Sequence, residues 1–245
     1  TIDIMKTMMI GCMLALCMLQ SASSFAQMSM KVQPLHKMDP EKKLWKRGFR
    51  CVLGSDETAN GCIAGPVVVA TCGLLGNNPD PIQGVKDSKL LSVEEIKRIY
   101  DIVVSNPDTY VWNTVLATQE EIDEADVPTA TKEALRKSIE TLVELHELPN
   151  DTTYSIVDGH KTPKLTIPLK CRPWVKGDSQ VYTVALASIL AKHTHTAIVK
   201  EMHEQYPDYG FDENRGYPSR DHIVAIHTHG PCPIHRKSSK PLKGR

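Results

Sequence analysis

The stretch that decides the fold is Gly54-Ser55-Asp56-Glu57-Thr58-Ala59-Asn60-Gly61-Cys62-Ile63-Ala64-Gly65-Pro66-Val67-Val68-Val69-Ala70. Two short runs, 50–53 and 67–70, flank its polar centre and are predicted to be buried strands. Asp56 and Glu57 therefore lie where the first strand ends. Two unit charges about 4 Å apart repel each other by roughly 1–4 kcal/mol, depending on how wet the site is. Water can offset this repulsion, and so can a divalent cation, because hard metal ions prefer carboxylate oxygens.

Further motifs follow this carboxylate pair in a fixed order. They are Asp87-Ser88-Lys89, Ile156-Val157-Asp158-Gly159, Val175-Lys176-Gly177-Asp178-Ser179, Val184-Ala185-Leu186-Ala187-Ser188-Ile189-Leu190-Ala191-Lys192, Tyr206-Pro207 with Tyr209-Gly210-Phe211, Arg215-Gly216-Tyr217, and Gly230-Pro231-Cys232-Pro233-Ile234-His235-Arg236. Each motif is weak by itself, but the ordered series resembles the ribonuclease HII family. Members of that family cut the RNA strand of RNA–DNA hybrids and the junction of a single ribonucleotide embedded in duplex DNA. The resemblance runs from about residue 50 to residue 241.

Composition limits how the chain could bind nucleic acid. The 245 residues suffice for one domain of about 200 residues plus a leader. The formal net charge is zero, because 29 Lys and Arg residues balance 29 Asp and Glu residues. Nucleic-acid binding must therefore rest on a local basic patch rather than on bulk positive charge. The seven cysteines contain no Cys-x-x-Cys pair, which predicts reduced core thiols.

The start of the chain is typical of a targeting leader. Met5-Lys6 precede an apolar run, 7–19, that is too short to span a bilayer comfortably. The segment 21–27 resembles the cleavage motif that algae with secondary plastids use before a transit peptide, and the basic segment 28–47 follows it. We expect a leader over 1–27 and import into a plastid, with the mitochondrion or secretion as alternatives. Once the leader is removed, no stable membrane association is expected.

Hydrophobic periodicity predicts an α/β domain. Predicted strands cover 50–55, 65–75, 110–117 and 153–157, with a hairpin at 164–174. Predicted helices cover roughly 92–105, 131–147, 179–205 and 221–229, the first opened by a capping box between Ser92 and Glu95. This order indicates a three-layer mixed sheet with flanking helices and a C-terminal helical appendage, and the resemblance implies the ribonuclease-H-like fold. The catalytic domain is expected over 48–241, ahead of a basic tail at 242–245.

The resemblance implies that Asp56, Glu57 and Asp158 are the catalytic carboxylates and the ligands of Mg²⁺ or Mn²⁺. If Asp56 and Asp158 end neighbouring strands, all three carboxylates meet at the carboxyl edge of the sheet. A pair of cations about 4 Å apart at this edge would activate the attacking water and stabilise the leaving oxygen. The resemblance further implies products that carry a 5′-phosphate and a 3′-hydroxyl.

A fourth family carboxylate is predicted to be missing. The family usually reads Lys-Val-Thr-Arg-Asp where this chain has Lys192-His193-Thr194-His195-Thr196. We therefore place the degenerate fourth-carboxylate position at Thr196. Threonine is uncharged, so the affinity for the second metal ion is expected to fall. One hypothesis is an active enzyme with weakened metal binding, and the alternative is a catalytically weakened protein that binds hybrids.

Telling RNA from DNA requires reading the 2′-hydroxyl. The resemblance implies that Ala59-Asn60-Gly61 replaces a Gly-Arg-Gly turn, where Ala59 is unfavourable if φ must be positive. It also implies that the ring of Tyr217 stacks on the sugar at the junction. Further residues are expected to lie beside phosphates or to support the site; they are Lys89, Lys176, Lys192, His235 and Arg236.

Several interpretations stay open on sequence alone. Asp178 either belongs to the site or buttresses a turn. A secreted hydrolase of small phosphoesters is a further function class, which the leader favours and Tyr217 does not. The pairs His193/His195 and His227/His229 do not indicate zinc, because residues i and i+2 of a helix point about 200° apart. The expected partners are RNA–DNA hybrids and ribonucleotide-containing duplexes, bound by a monomer.

Overall fold

The computed structural model describes residues 36–76, 79–240 and 242, with a mixed sheet at the centre. Its strands are β1 (Cys51–Thr58), β2 (Val67–Leu75), β3 (Tyr110–Ala117), β4 (Thr153–Asp158) and β5 (Lys170–Trp174). They lie in the order β3-β2-β1-β4-β5. The first three strands pair antiparallel, whereas β4 runs parallel to both β1 and β5. The predicted α/β class with a mixed sheet is confirmed.

The helices are numbered in chain order, and the first of them precedes β1. They are α1 (Asp39–Trp45), α2 (Val93–Val104), α3 (Gln119–Glu124), α4 (Val127–Leu145), α5 (Gly177–Gln180), α6 (Tyr182–Gln205), α7 (Phe211–Asn214) and α8 (Arg220–His229), with short 3-10 turns at Ser88–Leu90 and Pro207–Tyr209. The predicted capping box opens α2: the Ser92 hydroxyl accepts from the Glu95 N–H, and the Glu95 carboxylate accepts from the Ser92 N–H. Such a reciprocal cap satisfies two N–H groups that have no partner inside the helix.

Helices cover both faces of the sheet and make three layers. Strand β2 shows why: Val68 and Cys72 pack into a core with α2 and α6, whereas Val67 and Val69 pack into a second core with α4. Successive side chains of a strand point to opposite faces, so an uninterrupted apolar run is buried on both sides. A third, smaller core joins the end of α6 to α8 and the C-terminal segment, which is the predicted helical appendage.

Gly54 allows α6 to begin directly against β1. A Cβ atom at Gly54 would lie only 2.2 Å from the carbonyl carbon of Thr183, so no larger residue fits there. Helix α6 is almost entirely buried over its first ten residues. This close approach brings the face of α6 that carries Ser188 to the carboxyl end of β1.

Two predicted elements differ in the structure. The hairpin predicted at 164–174 is wrong, because only Lys170–Trp174 forms a strand and it pairs parallel with β4. A parallel neighbour requires the chain to cross over rather than turn back. The helix predicted over 179–205 is interrupted at Val181, whose backbone is extended (φ −115°, ψ 120°), so that α5 and α6 are separate helices.

The folded unit extends beyond the predicted limits at both ends. Helix α1 lies within the predicted basic segment 28–47, and its Glu41 is fully buried, accepting from the Thr183 N–H at 3.0 Å. Leu242, predicted in the tail, is buried in the third core. The predicted leader, 1–27, lies outside the described residues. Among the helices that the structure describes, none has both the length and the apolar character needed to cross a membrane.

Candidate active site

The sheet brings the predicted carboxylates to one edge. Asp56 and Asp158 directly follow Ser55 and Val157, which are the last paired residues of the parallel strands β1 and β4. Asp56 accepts from the Glu57 N–H at 2.8 Å, and Asp158 accepts from the Gly177 N–H at 2.6 Å. Backbone N–H groups therefore orient both aspartates where the strands end, and Glu57 is the next residue along β1.

The carboxylates influence one another electrostatically. Burial raises the pKa of Asp56 well above its usual range, and the charges of Glu57 and Asp158 raise it further. Burial likewise raises the pKa of Glu57, and the Asp158 charge adds to this rise. Burial also raises the pKa of Asp158. Like charges held together in a poorly solvated place favour the uptake of a proton or a cation.

Asp178 is a fourth carboxylate at this edge. It is buried, and its charge is among the causes that raise the pKa of Asp158. The ammonium group of Lys89 lies 3.1 Å from Asp178 Oδ2. Asp178 is brought here by α5, whose first N–H, that of Gly177, donates to Asp158. The Val175–Ser179 motif was the sequence signal for this residue, but it left the choice between a site residue and a turn buttress open.

The structure contradicts the placement of the fourth carboxylate at Thr196. The Ser188 hydroxyl hydrogen-bonds Asp56, which fixes the point of α6 that faces the site. Thr196 lies eight residues further along this helix, a rise of about 12 Å, and no side chain of its size bridges that distance. Its exposed hydroxyl instead donates to the Lys192 carbonyl at 2.9 Å. The loss of an acidic residue at position 196 therefore removes no charge from the site.

The donor set fits a hard divalent cation. Carboxylate oxygens are what Mg²⁺ and Mn²⁺ bind, and a cation would offset both the burial of these charges and the repulsion between them, which together raise the pKa values. The carboxylate side chains do not all point at one position. Over 36–76, 79–240 and 242, no three His, Cys, Asp or Glu residues are arranged to hold a metal ion. Asp56 and Asp158 are instead held by the backbone N–H groups described above, and Glu57 accepts from the Asn60 amide at 2.8 Å.

The predicted basic residues differ in exposure. Lys89 and Lys176 are exposed, although the Lys89 ammonium is paired with Asp178, and Lys192 is half-buried with its ammonium donating to the Ser88 carbonyl at 2.8 Å. Burial lowers the pKa of Lys192, and the nearby Arg215 lowers it further. His235 and Arg236 are 1% and 0% exposed, so they contact protein groups and not phosphate.

The segment Ala59–Gly61, called the substrate turn below, lies between Glu57 and Tyr217. Ala59 has a φ of +71°, in the region that favours glycine, so the unfavourable alanine is accommodated at a strained position. A Cβ atom at Gly61 would lie 3.3 Å from Cε1 of Tyr217, which is 42% exposed. The structure therefore brings the two predicted substrate-reading segments together, with the tyrosine ring accessible.

Asn60 links the substrate turn to the carboxylates. Its amide donates to Glu57, and its amide oxygen accepts from the Thr131 hydroxyl of α4 at 3.1 Å. Sequence reasoning missed Thr131, because nothing in the local pattern of α4 distinguishes this residue from an ordinary buried threonine. Through these two hydrogen bonds, Asn60 connects Glu57 to Thr131 of α4.

Comparisons with known proteins agree with this arrangement. The family model described as Ribonuclease HII matches residues 53–241. The ribonuclease HII of Chlamydia abortus is 37% identical over 203 residues, covering 83% of this chain and 90% of the relative. The ribonuclease HII of Dechloromonas aromatica is 39% identical over 192 residues, covering 78% of this chain and 91% of the relative.

Solved structures share the fold. The ribonuclease H2 of Pyrococcus horikoshii OT3 superposes with a TM-score of 0.60 at 22% identity, covering 78% of this chain and 95% of the other. Bst-RNase HIII in complex with Mn²⁺ superposes with a TM-score of 0.61 at 18% identity, covering 91% of this chain and 76% of the other. At these identities the likeness is one of fold.

Proposed function

The chain belongs to the ribonuclease HII family, and on that premise we propose how its carboxylate edge cuts nucleic acid. Members of this family are metal-dependent endoribonucleases that act on RNA–DNA hybrids, and this chain is such an enzyme. The alternative of a catalytically weakened binding protein is not supported, because it rested on Thr196, which lies away from the site. Nothing in the family assignment favours a hydrolase of small phosphoesters.

One observation carries the catalytic proposal: Asp56 and Asp158 directly follow the point where the pairing between the parallel strands β1 and β4 ends, and the charge of Asp178 acts on Asp158. Asp56, Glu57, Asp158 and Asp178 would hold Mg²⁺ or Mn²⁺. The bound ions would lower the pKa of the attacking water and stabilise the leaving oxygen. The protein's own part is to keep these carboxylates in place through the N–H groups of Glu57 and Gly177 and the amide of Asn60.

The preferred substrate in this proposal is a duplex that contains ribonucleotides. The substrate turn would meet the 2′-hydroxyl, and the exposed ring of Tyr217 would stack on the sugar beside it. Lys89 and Lys176 would contact phosphates from the rim of the site. Cleavage would leave a 5′-phosphate and a 3′-hydroxyl, and it requires no second copy of the chain.

The test uses a DNA duplex with one embedded ribonucleotide, an RNA–DNA hybrid and an all-DNA duplex. The purified protein is incubated with each in Mg²⁺, in Mn²⁺ or in chelator, and D158N is the matched inactive control. We expect cleavage of the first two duplexes that needs a metal ion and is lost in D158N. Retarded migration without cleavage, or equal cleavage of the all-DNA duplex, would contradict the proposal.

We further propose that the protein works in a plastid as a monomer, with the mitochondrion or secretion as the alternative destinations. Support for the compartment comes from the sequence of the leader, 1–27, and of the basic segment after it. Because α1 begins at Asp39 and Met38 is buried, processing should occur before residue 38. The mass of the N-terminal peptide in the purified organelle tests the compartment, and light scattering of the processed protein tests the monomer.

A further inference from the structure

Arg236 carries a fully buried charge. Its side chain is 0% exposed, and none of the ion pairs formed by the described residues includes it. Removing a guanidinium from water is costly unless hydrogen bonds satisfy its donors. Burial lowers the pKa of Arg236, as expected for such a position. The protein therefore maintains this residue for its interactions inside the fold.

Those interactions are with the backbone at the two ends of one loop. The guanidinium donates to the carbonyls of Ala59 at 3.0 Å, Asn60 at 3.3 Å and Gly65 at 2.8 Å. The Arg236 N–H also donates to the Ile63 carbonyl at 2.8 Å. Hydrogen bonds from a charged donor are roughly twice as strong as neutral ones. Arg236 thus links the two ends of the loop 59–65 through hydrogen bonds to its backbone.

The position of Arg236 determines which groups of the substrate turn face outward. In a trans peptide the C=O and the following N–H point in opposite directions. Because the carbonyls of Ala59 and Asn60 point at the guanidinium, the N–H groups of Asn60 and Gly61 point away from it. Asn60 and Gly61 are exposed, so the turn presents two successive N–H groups on its outer side.

The backbone conformation of Ala59 explains why the hydrogen bonds from Arg236 are needed. Its φ of +71° disfavours a residue with a Cβ atom by about 1–2 kcal/mol. A backbone conformation of this kind persists only where the surrounding structure enforces it. Two of the three carbonyls that the Arg236 guanidinium binds belong to Ala59 and to the residue after it.

We propose that Arg236 is a positioning residue for substrate discrimination: it holds Ala59 in its left-handed conformation, so that the substrate turn is ready to read the ribonucleotide. The inference rests on the proposed function. Arg236 does not touch the nucleic acid, and it acts through the backbone of Ala59 and Asn60. Its loss should weaken recognition of the ribonucleotide more than it slows the chemical step.

The experiment compares R236M, R236K and the double variant R236M/A59G in cleavage of the duplex with one ribonucleotide. R236M should lower kcat/KM at least tenfold, mainly through a higher KM. R236K keeps the charge but cannot reach all three carbonyls, so its loss should be smaller. Because glycine adopts a positive φ freely, kcat/KM of the double variant R236M/A59G should be at least threefold higher than that of R236M.

A matched control separates positioning from stability. Glu147 is an exposed residue with a φ of +48° at the end of α4, so E147G relieves comparable strain far from the turn. R236M/E147G should regain thermal stability without regaining kcat/KM. Equal rescue of KM by E147G and A59G would overturn the proposal, as would a wild-type KM in R236M. Should R236M fail to fold, R236K and R236K/A59G provide the same comparison.

Hydrogen exchange gives a readout that does not depend on cleavage. Amides in the peptide covering 57–65 should exchange faster in R236M and R236K, and A59G should reverse this change, whereas exchange in β3 should stay unaltered. Uniformly faster exchange across the protein would overturn the inference. If the wild-type protein cleaves none of the duplexes, the proposed function has failed, and the exchange result still decides whether Arg236 positions the turn.

Discussion

Lys89 Nζ lies 3.1 Å from Asp178 Oδ2, and the two side chains differ sharply in exposure, at 75% for Lys89 and 10% for Asp178. The exposed ammonium covers the buried carboxylate at the outer side of the acidic edge. An ion pair with one mobile, exposed partner contributes little stability. The importance of this ion pair is therefore functional. Asp178 adds a fourth acidic group to the site, and Lys89 adds a cation that can turn towards a phosphate.

Asp178 should matter for metal binding where Thr196 does not. We expect D178N to raise the Mg²⁺ concentration for half-maximal cleavage more than tenfold, because a neutral amide binds a hard cation less well than a carboxylate does. T196D should leave the metal dependence unchanged, since position 196 lies about 12 Å along α6 from Ser188. Metal titrations of cleavage, with Mn²⁺ calorimetry as a second measure, check both. If T196D needed a lower Mg²⁺ concentration for half-maximal cleavage than wild type, the placement of Thr196 away from the site would be contradicted.

Tyr217 should act through its ring. Stacking of a base or sugar on an aromatic side chain contributes about 1–3 kcal/mol, so Y217A should lower kcat/KM on the single-ribonucleotide duplex roughly 5- to 150-fold. Y217F keeps the ring and should remain within about threefold of wild type. Steady-state kinetics on this duplex provide the measurement. Equal losses in Y217A and Y217F would show that the hydroxyl, and not the ring, carries the effect.

Glu41 should tie α1 to the start of α6. Its Oε1 accepts from the Thr183 N–H at 3.0 Å, while its Oε2 is buried without a partner. Replacement by alanine leaves that N–H unsatisfied, so E41A should lower the free energy of unfolding by about 1–3 kcal/mol. Urea denaturation at about pH 4, below the pKa of an unfolded glutamate, measures this change.

The pH dependence of the Glu41 contribution has a defined sign. Burial raises the pKa of Glu41 above its value in the unfolded chain, so the folded state binds the proton more readily. Its contribution is therefore fully present below the unfolded pKa of about 4.3 and is lost as pH rises through the folded pKa. E41Q keeps an acceptor without a charge and should remove this dependence; an unchanged pH profile in E41Q would argue against the raised pKa.

His235 should make the fold sensitive to acid. Burial, together with the charge of His222, lowers its pKa to about 4, whereas an unfolded histidine titrates near 6.5. The unfolded chain therefore binds more protons between these values, and stability should fall by up to about 1.4 kcal/mol per pH unit as pH drops from 6.5 to 4. Denaturation across this range should show a shallower slope in H235N than in wild type.

The contacts of His235 give this prediction a structural readout. Its Nε2 lies 3.0 Å from His222 Nε2, and His222 Nδ1 lies 2.8 Å from the Tyr217 carbonyl. Doubly protonated rings would place two N–H groups face to face. Acid should therefore disturb the segment that carries Tyr217 before it unfolds β3. Simultaneous loss of protection in both segments would contradict this order.

Sequence alone was enough to predict the local elements and to single out three carboxylates, Asp56, Glu57 and Asp158, that the fold brings to one sheet edge. The capping box of Ser92 and Glu95 starts α2, and β3 spans the predicted residues 110–117, because a cap and a run of β-forming side chains are set by neighbours along the chain. Asp56 and Asp158 were placed at strand ends for the same reason. Their meeting required the two strands to be neighbours, which the sequence left as a condition and the pairing of β1 with β4 fulfils.

Which other groups join them depends on packing between segments that are distant along the chain. Asp178 reaches the site because α5 packs beside the end of β4, and Thr196 leaves it because a helix advances about 1.5 Å per residue. The burial of Arg236 and the placement of Glu41 at the start of α6 depend on contacts between segments more than a hundred residues apart. Local sequence patterns do not predict contacts between such distant segments, because the same side chain can lie at the surface or in the core depending on which segments pack against it.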